Sequence, residues 1–217
     1  MKALTLYFCL FLPFLSLSQS LPDQSIRIHK LVVDSRKTYY LDQGDSTASI
    51  VIDTLVMANK ARLYLVDKKK VKLVVNNATV GKDCVITGND GKNNGTDLKM
   101  AVNFSQLQSL FIDVSGDDAK NGNRNFDNGN GGSVILNYLA SGKKPQLTDK
   151  KSANYLSVKN RAGGYMVNPQ TDIAVLVDQI KNGTAGRPLG NLPNGKVYSG
   201  NIGKDGTTSI QPVNSLN

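Results

Sequence analysis

The 217-residue chain has no tryptophan, one histidine and two cysteines, and only 6% of its residues are aromatic. Each scarcity removes a chemistry. His29 is the only imidazole and stands in a strand-like run near the N-terminus, where a lone histidine reads as structural. No Ser-His-Asp triad can be proposed around it, and no G-x-S-x-G elbow occurs. One histidine and so few cysteines cannot supply a zinc site of ordinary composition. Neither a phosphate-cradling G-x-x-x-x-G-K-[ST] loop nor a G-x-G-x-x-G turn at a strand-to-helix junction is present. Lysine runs without interleaved aromatics offer no stacking platform for nucleic acid. On these grounds no catalytic residue and no cofactor-binding residue is assigned.

What is present begins with an address. MKALTLYFCLFLPFLSLSQS carries a positive Lys2, an uncharged apolar stretch from Ala3 to Leu15, and small residues at Ser16 and Ser18. This is the pattern of a secretory signal peptide, residues 1–18, with cleavage expected between Ser18 and Gln19. The run is too short to span a bilayer, and no later segment approaches the roughly 18 apolar residues a span requires. The mature chain is therefore expected to be secreted, periplasmic or on the cell surface, with no transmembrane segment. Lys2 and Cys9 leave with the signal, so Cys84 remains as the one cysteine and no internal disulfide can form. Cys84 lies in the alternating run DCVITG and reads as a buried small hydrophobe. A chain of this length without disulfides can still bury about 70% of its unfolded surface.

Lys and Arg outnumber Asp and Glu by 26 to 17. The excess is dispersed; its densest runs are Lys68-Lys69-Lys70 with Lys72, and Lys143-Lys144. Such a surface suits acidic polysaccharide or envelope components, and it also suits plain solvation.

From residue 49 the apolar pattern has a period of two. SIVIDTLVM, ARLYLVD, VKLVVNN and DCVITG follow one another, β-branched and separated by short polar links. LKMAVNF, LQSLFIDVSG, SVILNYLA and YLSVKNRAGG continue the pattern. This is strand grammar recurring about every ten residues. The links are read as lacking the two-residue Asn-Gly or Asp-Gly hairpin turns of an antiparallel meander. The expectation is an all-β body, a β-solenoid with Gly/Asn-rich loops, with a β-sandwich as the alternative. Residues 19–182 form the β-rich domain and 183–217 a Gly/Pro/Asn-rich extended tail. TDIAVLVDQIKNG (171–183) fits either one amphipathic helix or a strand.

GDDAKNGNRNFDNGNGG (116–132) has three readings. In the frame Gly116, Ala119, Gly122, Asn125, Asn128, Gly131, every third residue is small or tolerant of unusual backbone angles. GNIGKDG repeats the pattern at Gly200, Gly203 and Gly206, and GNDGKNN at Gly88, Gly91 and Asn94. Glycine at every third position lets polyproline-II-type segments approach each other's backbone closely. The second reading is a plain polar surface loop. The third is a Ca²⁺ loop: Asp113, Asp117, Asp118 and Asp127, with Asn121, Asn123 and Asn125, offer hard oxygen ligands. Asn123, Asn125 and Asp127 keep a 1-3-5 spacing, but Asn128 replaces the turn glycine and Val134 the bidentate glutamate.

The order of short apolar strands, SG with a Gly/Asp/Asn run, NGNGGSVILNY, YLSVKNRAGG and GNIGKDG resembles a class of secreted glycine-rich β-strand proteins of Bacteroidetes. The resemblance covers roughly residues 49–206. It implies an envelope or matrix role. Three functions follow as expectations. The first is an exported, non-catalytic structural or adhesive protein. The second is a polysaccharide lyase or hydrolase, which would need Asp113, Asp117 or Asp118 to converge with Arg124 or a lysine in a cleft. The third is an acidic-glycan-binding module, which would expose aromatics such as Tyr138, Tyr155 or Tyr165 beside lysines. The sequons at Asn77, Asn94, Asn103 and Asn182 read as Asn-rich turns.

Overall fold

The computed structural model describes residues 25–43, 45–119, 126–164 and 202–216. The signal segment and the 171–183 stretch lie outside them. Among the described residues every regular element is a strand. They are β1 (Ile26–Val33), β2 (Thr38–Leu41), β3 (Thr47–Met57), β4 (Arg62–Leu65), β5 (Lys70–Val80), β6 (Cys84–Gly88), β7 (Asp97–Leu107), β8 (Ser109–Asp113), β9 (Val134–Leu139), β10 (Tyr155–Lys159) and β11 (Thr208–Val213).

The odd-numbered strands form one six-stranded sheet in chain order, and the even-numbered strands form a five-stranded sheet. Every strand pairing within the two sheets is parallel. Each of the first five coils thus contributes one strand to each sheet, the next coil stacks on it, and β11 adds a sixth strand to the larger sheet. This is a β-solenoid. The antiparallel sandwich fails because sheet neighbours are two elements apart in the chain and run the same way.

The first coils repeat closely. Ser35 meets Asn59 across 24 residues, and Asn59 meets Lys82 across 23. Later coils carry insertions: Asn94 and Asn130 are 36 apart, and Asn130 and Lys204 are 74 apart. β11 lies in the segment read as an extended tail, yet it pairs with β9 along its whole length. β2 was not foreseen: its four residues are too few to display a period.

The long strands serve two sides of the core. In β3, Ile50 and Ile52 point inward, and so do Leu55 and Met57, one step out of phase. The slip falls at Asp53-Thr54, with equivalents at His29-Lys30 in β1, Asn76-Asn77 in β5 and Ser105-Gln106 in β7. A flat strand with such a slip would turn half its apolar residues to solvent. Bending at the slip keeps both halves inward, and the short strand closes the remaining side. Ile50, Leu73, Met100 and Leu136 stack in register through successive coils and are almost wholly buried. Each such side chain contributes about 1.5–3 kcal/mol by burial.

The corner after the long strand is also stacked. Arg36, Lys60 and Asp83 occupy it with φ of 61°, 62° and 57°. Left-handed geometry costs a non-glycine residue about 1–2 kcal/mol. Backbone bonds to the next coil offset that cost: the Arg36 amide donates to Asn59 O at 3.1 Å and the Lys60 amide to Lys82 O at 2.7 Å.

Candidate functional site

The Gly/Asn-rich stretches gather beside the fourth and fifth coils. Segments 93–96, 114–118, 129–132, 160–164 and 203–206 run alongside one another and exchange backbone hydrogen bonds. The Asp117 amide donates to Asn93 O (2.8 Å), the Gly129 amide to Asp117 O (3.0 Å) and the Gly163 amide to Gly129 O (2.8 Å). The Gly203 amide then donates to Gly163 O (3.2 Å). Gly95, Gly116, Gly132 and Gly206 donate in the same way to Asn130, Arg161, Val114 and Asn160.

Glycine is needed here for proximity. A Cβ on Gly129 would lie 1.6 Å from Asn93 O, one on Gly95 1.8 Å from Val114 O, and one on Gly206 2.0 Å from Gly132 O. These obstacles are backbone atoms, so no rotamer change relieves them. Of the three readings of 116–132, its described part follows the first: it is an ordered, backbone-bonded packing element. Gly116, Gly131, Gly203 and Gly206 of the triplet frame take part. Ala119 and Asn128 are buried, with the Ala119 amide donating to Asn128 Oδ1 at 2.9 Å. Gly122, Asn125 and Gly200 lie outside the described residues. The frame missed Gly129 and Gly132, and it wrongly took in Gly88, which ends β6, and Gly91, whose φ of 70° is not extended.

The aspartates proposed for calcium border this packing. Asp113 accepts from the Ser115 amide at 3.1 Å and from Lys159 Nζ at 3.3 Å. Asp118 accepts from the Gly164 amide. Asp127 gives its main-chain oxygen to Asn93 Nδ2 at 3.0 Å. Partial desolvation, then the charges of Asp113 and Asp118, push the Asp117 carboxyl above its ordinary value. Asn121, Asn123, Asn125 and Arg124 lie outside the described residues. Among the described ones no group of three or more His, Cys, Asp or Glu side chains is placed to hold a metal ion.

A second feature was not singled out from the sequence. Between β9 and β10 the corner swells into residues 140–154, which include the Lys143-Lys144 run. Lys150 and Lys151 from this loop, with Lys82 from the corner two coils back, line a shallow depression of about 300 Å³. Gln108, Ser109, Ser152 and Ala153 complete it. Lys150 Nζ sits 5.3 Å from the centre of the Phe111 ring, and Phe111 packs edge-on against Tyr155 at 5.6 Å. The loop's own carboxylate stays exposed and bonds within the loop: Asp149 accepts from Ser152 Oγ at 2.5 Å and from the Lys151 amide at 2.9 Å. These bonds, Ser152 first, hold its carboxyl below its ordinary value.

The remaining candidates scatter. Tyr138, expected as an exposed aromatic, is buried because it takes an inward position of β9. Tyr165 lies outside the described residues. His29 Nδ1 lies 2.9 Å from Asp53 on the outer face of the long sheet, where Arg27 and Asn76 also bond Asp53. Arg27, then His29, hold the Asp53 carboxyl below its ordinary value. Cys84 is buried, its thiol donating to Ala58 O at 3.1 Å, and burial pushes its pKa up.

The chain matches no family model, no curated protein and no solved structure. No helix among the described residues is long and apolar enough to cross a membrane.

Proposed function

We propose that this chain is an exported, non-catalytic structural or adhesive protein of the cell envelope or extracellular matrix. One observation carries the reading: the coils stack strand on parallel strand, with a local register irregularity between β5 and β7, and the glycine-lined segments extend the stacking through backbone bonds where side chains are lacking. A body built this way presents long, rigid faces at fixed spacing, which is what a scaffold or an adhesin requires of its fold. Of the residues named for a lyase or hydrolase, Asp113 pairs with Lys159 on an exposed surface, Asp118 accepts from the Gly164 amide, and Arg124 lies outside the described residues. The resemblance to glycine-rich secreted proteins of Bacteroidetes and the signal-like residues 1–18 support the same location.

The experiment is to express the full chain with a C-terminal tag in a Gram-negative host, fractionate the cells, and sequence the N-terminus of the recovered protein. The expected N-terminus is Gln19, in the surface or medium fraction, with no new reducing ends after incubation with a panel of acidic and neutral polysaccharides. Retention of residues 1–18 in the cytoplasm, or release of reducing ends, overturns the proposal.

A further inference from the structure

We propose that the loop at residues 140–154 turns one corner of the solenoid into a binding site for polyanionic glycan, with Lys82, Lys150 and Lys151 as the cationic contacts. This names a ligand class for the adhesive role just proposed, and it rests on that role.

The corner at which the loop sits is plain in earlier coils. Residues 34–37, 58–61 and 81–83 join β1 to β2, β3 to β4 and β5 to β6, and a single residue joins β7 to β8. An expansion confined to one coil of a stacked array projects from one face, and such expansions commonly form the binding face of repeat proteins. This one brings Lys150 and Lys151 beside Lys82.

The loop is built to hold its lysines out. Gln146 Oε1 accepts from the Thr148 and Asp149 amides, both at 2.9 Å. Gln146 Nε2 donates to Asp149 O at 2.6 Å, and the Gln146 and Leu156 amides bond across to Asn154 O and Gln146 O. The exposed Asp149 side chain accepts from Ser152 and the Lys151 amide and forms no ion pair with Lys82, Lys150 or Lys151. Among the described residues none of Lys82, Lys150 and Lys151 forms an ion pair. Asp83, the other nearby acid, faces Ser109 Oγ at 3.5 Å.

The lining chooses between ligands. Gln108 sets an amide among the cations, while Ser109 and Ser152 bond Asp83 and Asp149, so the depression offers chiefly positive charge with one hydrogen-bonding side chain, which matches a chain of carboxylates or sulfates. Stacking of nucleic-acid bases is disfavoured, because Lys150 covers the Phe111 ring and Tyr155 meets it edge-on. Acidic polysaccharide is therefore the occupant.

The test uses the full chain and two triple variants of equal charge. Lys82→Gln with Lys150→Gln and Lys151→Gln alters the corner. Lys70→Gln with Lys72→Gln and Lys99→Gln alters the outer face of the six-stranded sheet. Retention is measured by affinity electrophoresis on polygalacturonate, dextran sulfate, neutral dextran and duplex DNA. Binding to polygalacturonate or dextran sulfate should fall at least tenfold in the corner variant and less than twofold in the control, with neutral dextran not retained. The two anionic arms tell carboxylate from sulfate preference. Equal losses in both variants, or DNA held as tightly as either glycan, overturns the proposal. A variant-free measurement guards against misfolding: acetylation footprinting of the unaltered chain should show Lys82, Lys150 and Lys151 protected by the glycan and Lys72 and Lys99 unprotected. Uniform protection, or none, counts against the site. Neither readout depends on where the cell sends the protein or on whether it cleaves glycan, so failure here is separable from failure of the scaffold reading.

Discussion

Gly129→Ala is the sharpest probe of the glycine-lined packing. The new methyl would stand 1.6 Å from Asn93 O and 2.2 Å from its carbonyl carbon, roughly half an ordinary contact distance. Both obstacles are main chain, so the segments must part. Parting them loosens the Gly129–Asp117, Gly163–Gly129 and Gly95–Asn130 backbone bonds, each worth about 1 kcal/mol net. Overpacking strain of about 1–3 kcal/mol adds to that, so the cost is about 4–6 kcal/mol. For a chain of this size that is a fall of about 10 °C in Tm. Gly91→Ala is the control. It carries left-handed strain at φ 70°, about 1–2 kcal/mol, but its methyl would meet only the Asp67 side chain. Because stacked coils depend mainly on nearest neighbours, part of the effect will be local. Thermal unfolding should therefore be paired with amide exchange at Gly95, Gly116, Gly163, Gly203 and Gly206. The expected result is a larger Tm loss for Gly129→Ala and faster exchange at those amides. Equal Tm losses, or unchanged exchange, would refute the claim that backbone proximity organises these segments.

Two further outcomes follow from the titrating groups. Desolvation and the charges of Asp113 and Asp118 raise the Asp117 pKa above 3.8, so the folded chain holds that proton better than the unfolded one. Its stabilising effect is fully present below 3.8 and is lost as pH rises through the raised value. Asp117→Asn should accordingly raise Tm at neutral pH, by no more than about 2 °C for so exposed a group, and flatten the pH dependence just above 3.8; a lowered Tm at neutral pH contradicts the assignment. Cys84, buried and raised in pKa, should resist a thiol reagent in the native protein and react fully in denaturant, and rapid native labelling would show that the thiol is accessible. For the core, Leu73→Ala, at a fully buried position in the central coil, should cost about 2–5 kcal/mol by urea titration; a cost under about 1 kcal/mol would mean the coils there are loosely packed.

Much of the solenoid is legible in the sequence, for a definite reason. Where coils repeat at 23 or 24 residues, both strands keep their period, as in VKLVVNN and ARLYLVD. Period two alone could not reveal the bend at Asp53-Thr54, because a phase slip of one residue resembles the end of a strand. The chain also holds no glutamate; all its acids are aspartate. Turn-favouring Asp and Asn in place of a good helix former is a compositional signal that agrees with the absence of helix among the described residues. The glycine-lined packing was half legible. A triplet frame finds segments that can approach a backbone, but it cannot say which face does so. Gly129, Gly131 and Gly132 serve three different neighbours, near Asn93, Asn160 and Thr96.

The lysine-bearing corner was the least legible feature, and the reason bears on its use. Lys82 and Lys150 are far apart in sequence and meet only because the corner recurs once per coil. SGKKPQLTDKK looks like solvated linker when read alone. Its significance comes from register: the coil fixes where the loop leaves the body, the Gln146 and Asp149 bonds fix its shape, and the Phe111–Tyr155 pair on the short sheet fixes Lys150. A scaffold of this kind separates rigidity from recognition. The coils can tolerate an expanded corner because each needs only its neighbours. The ligand contacts can therefore be altered without touching the inward residues that hold the coils together.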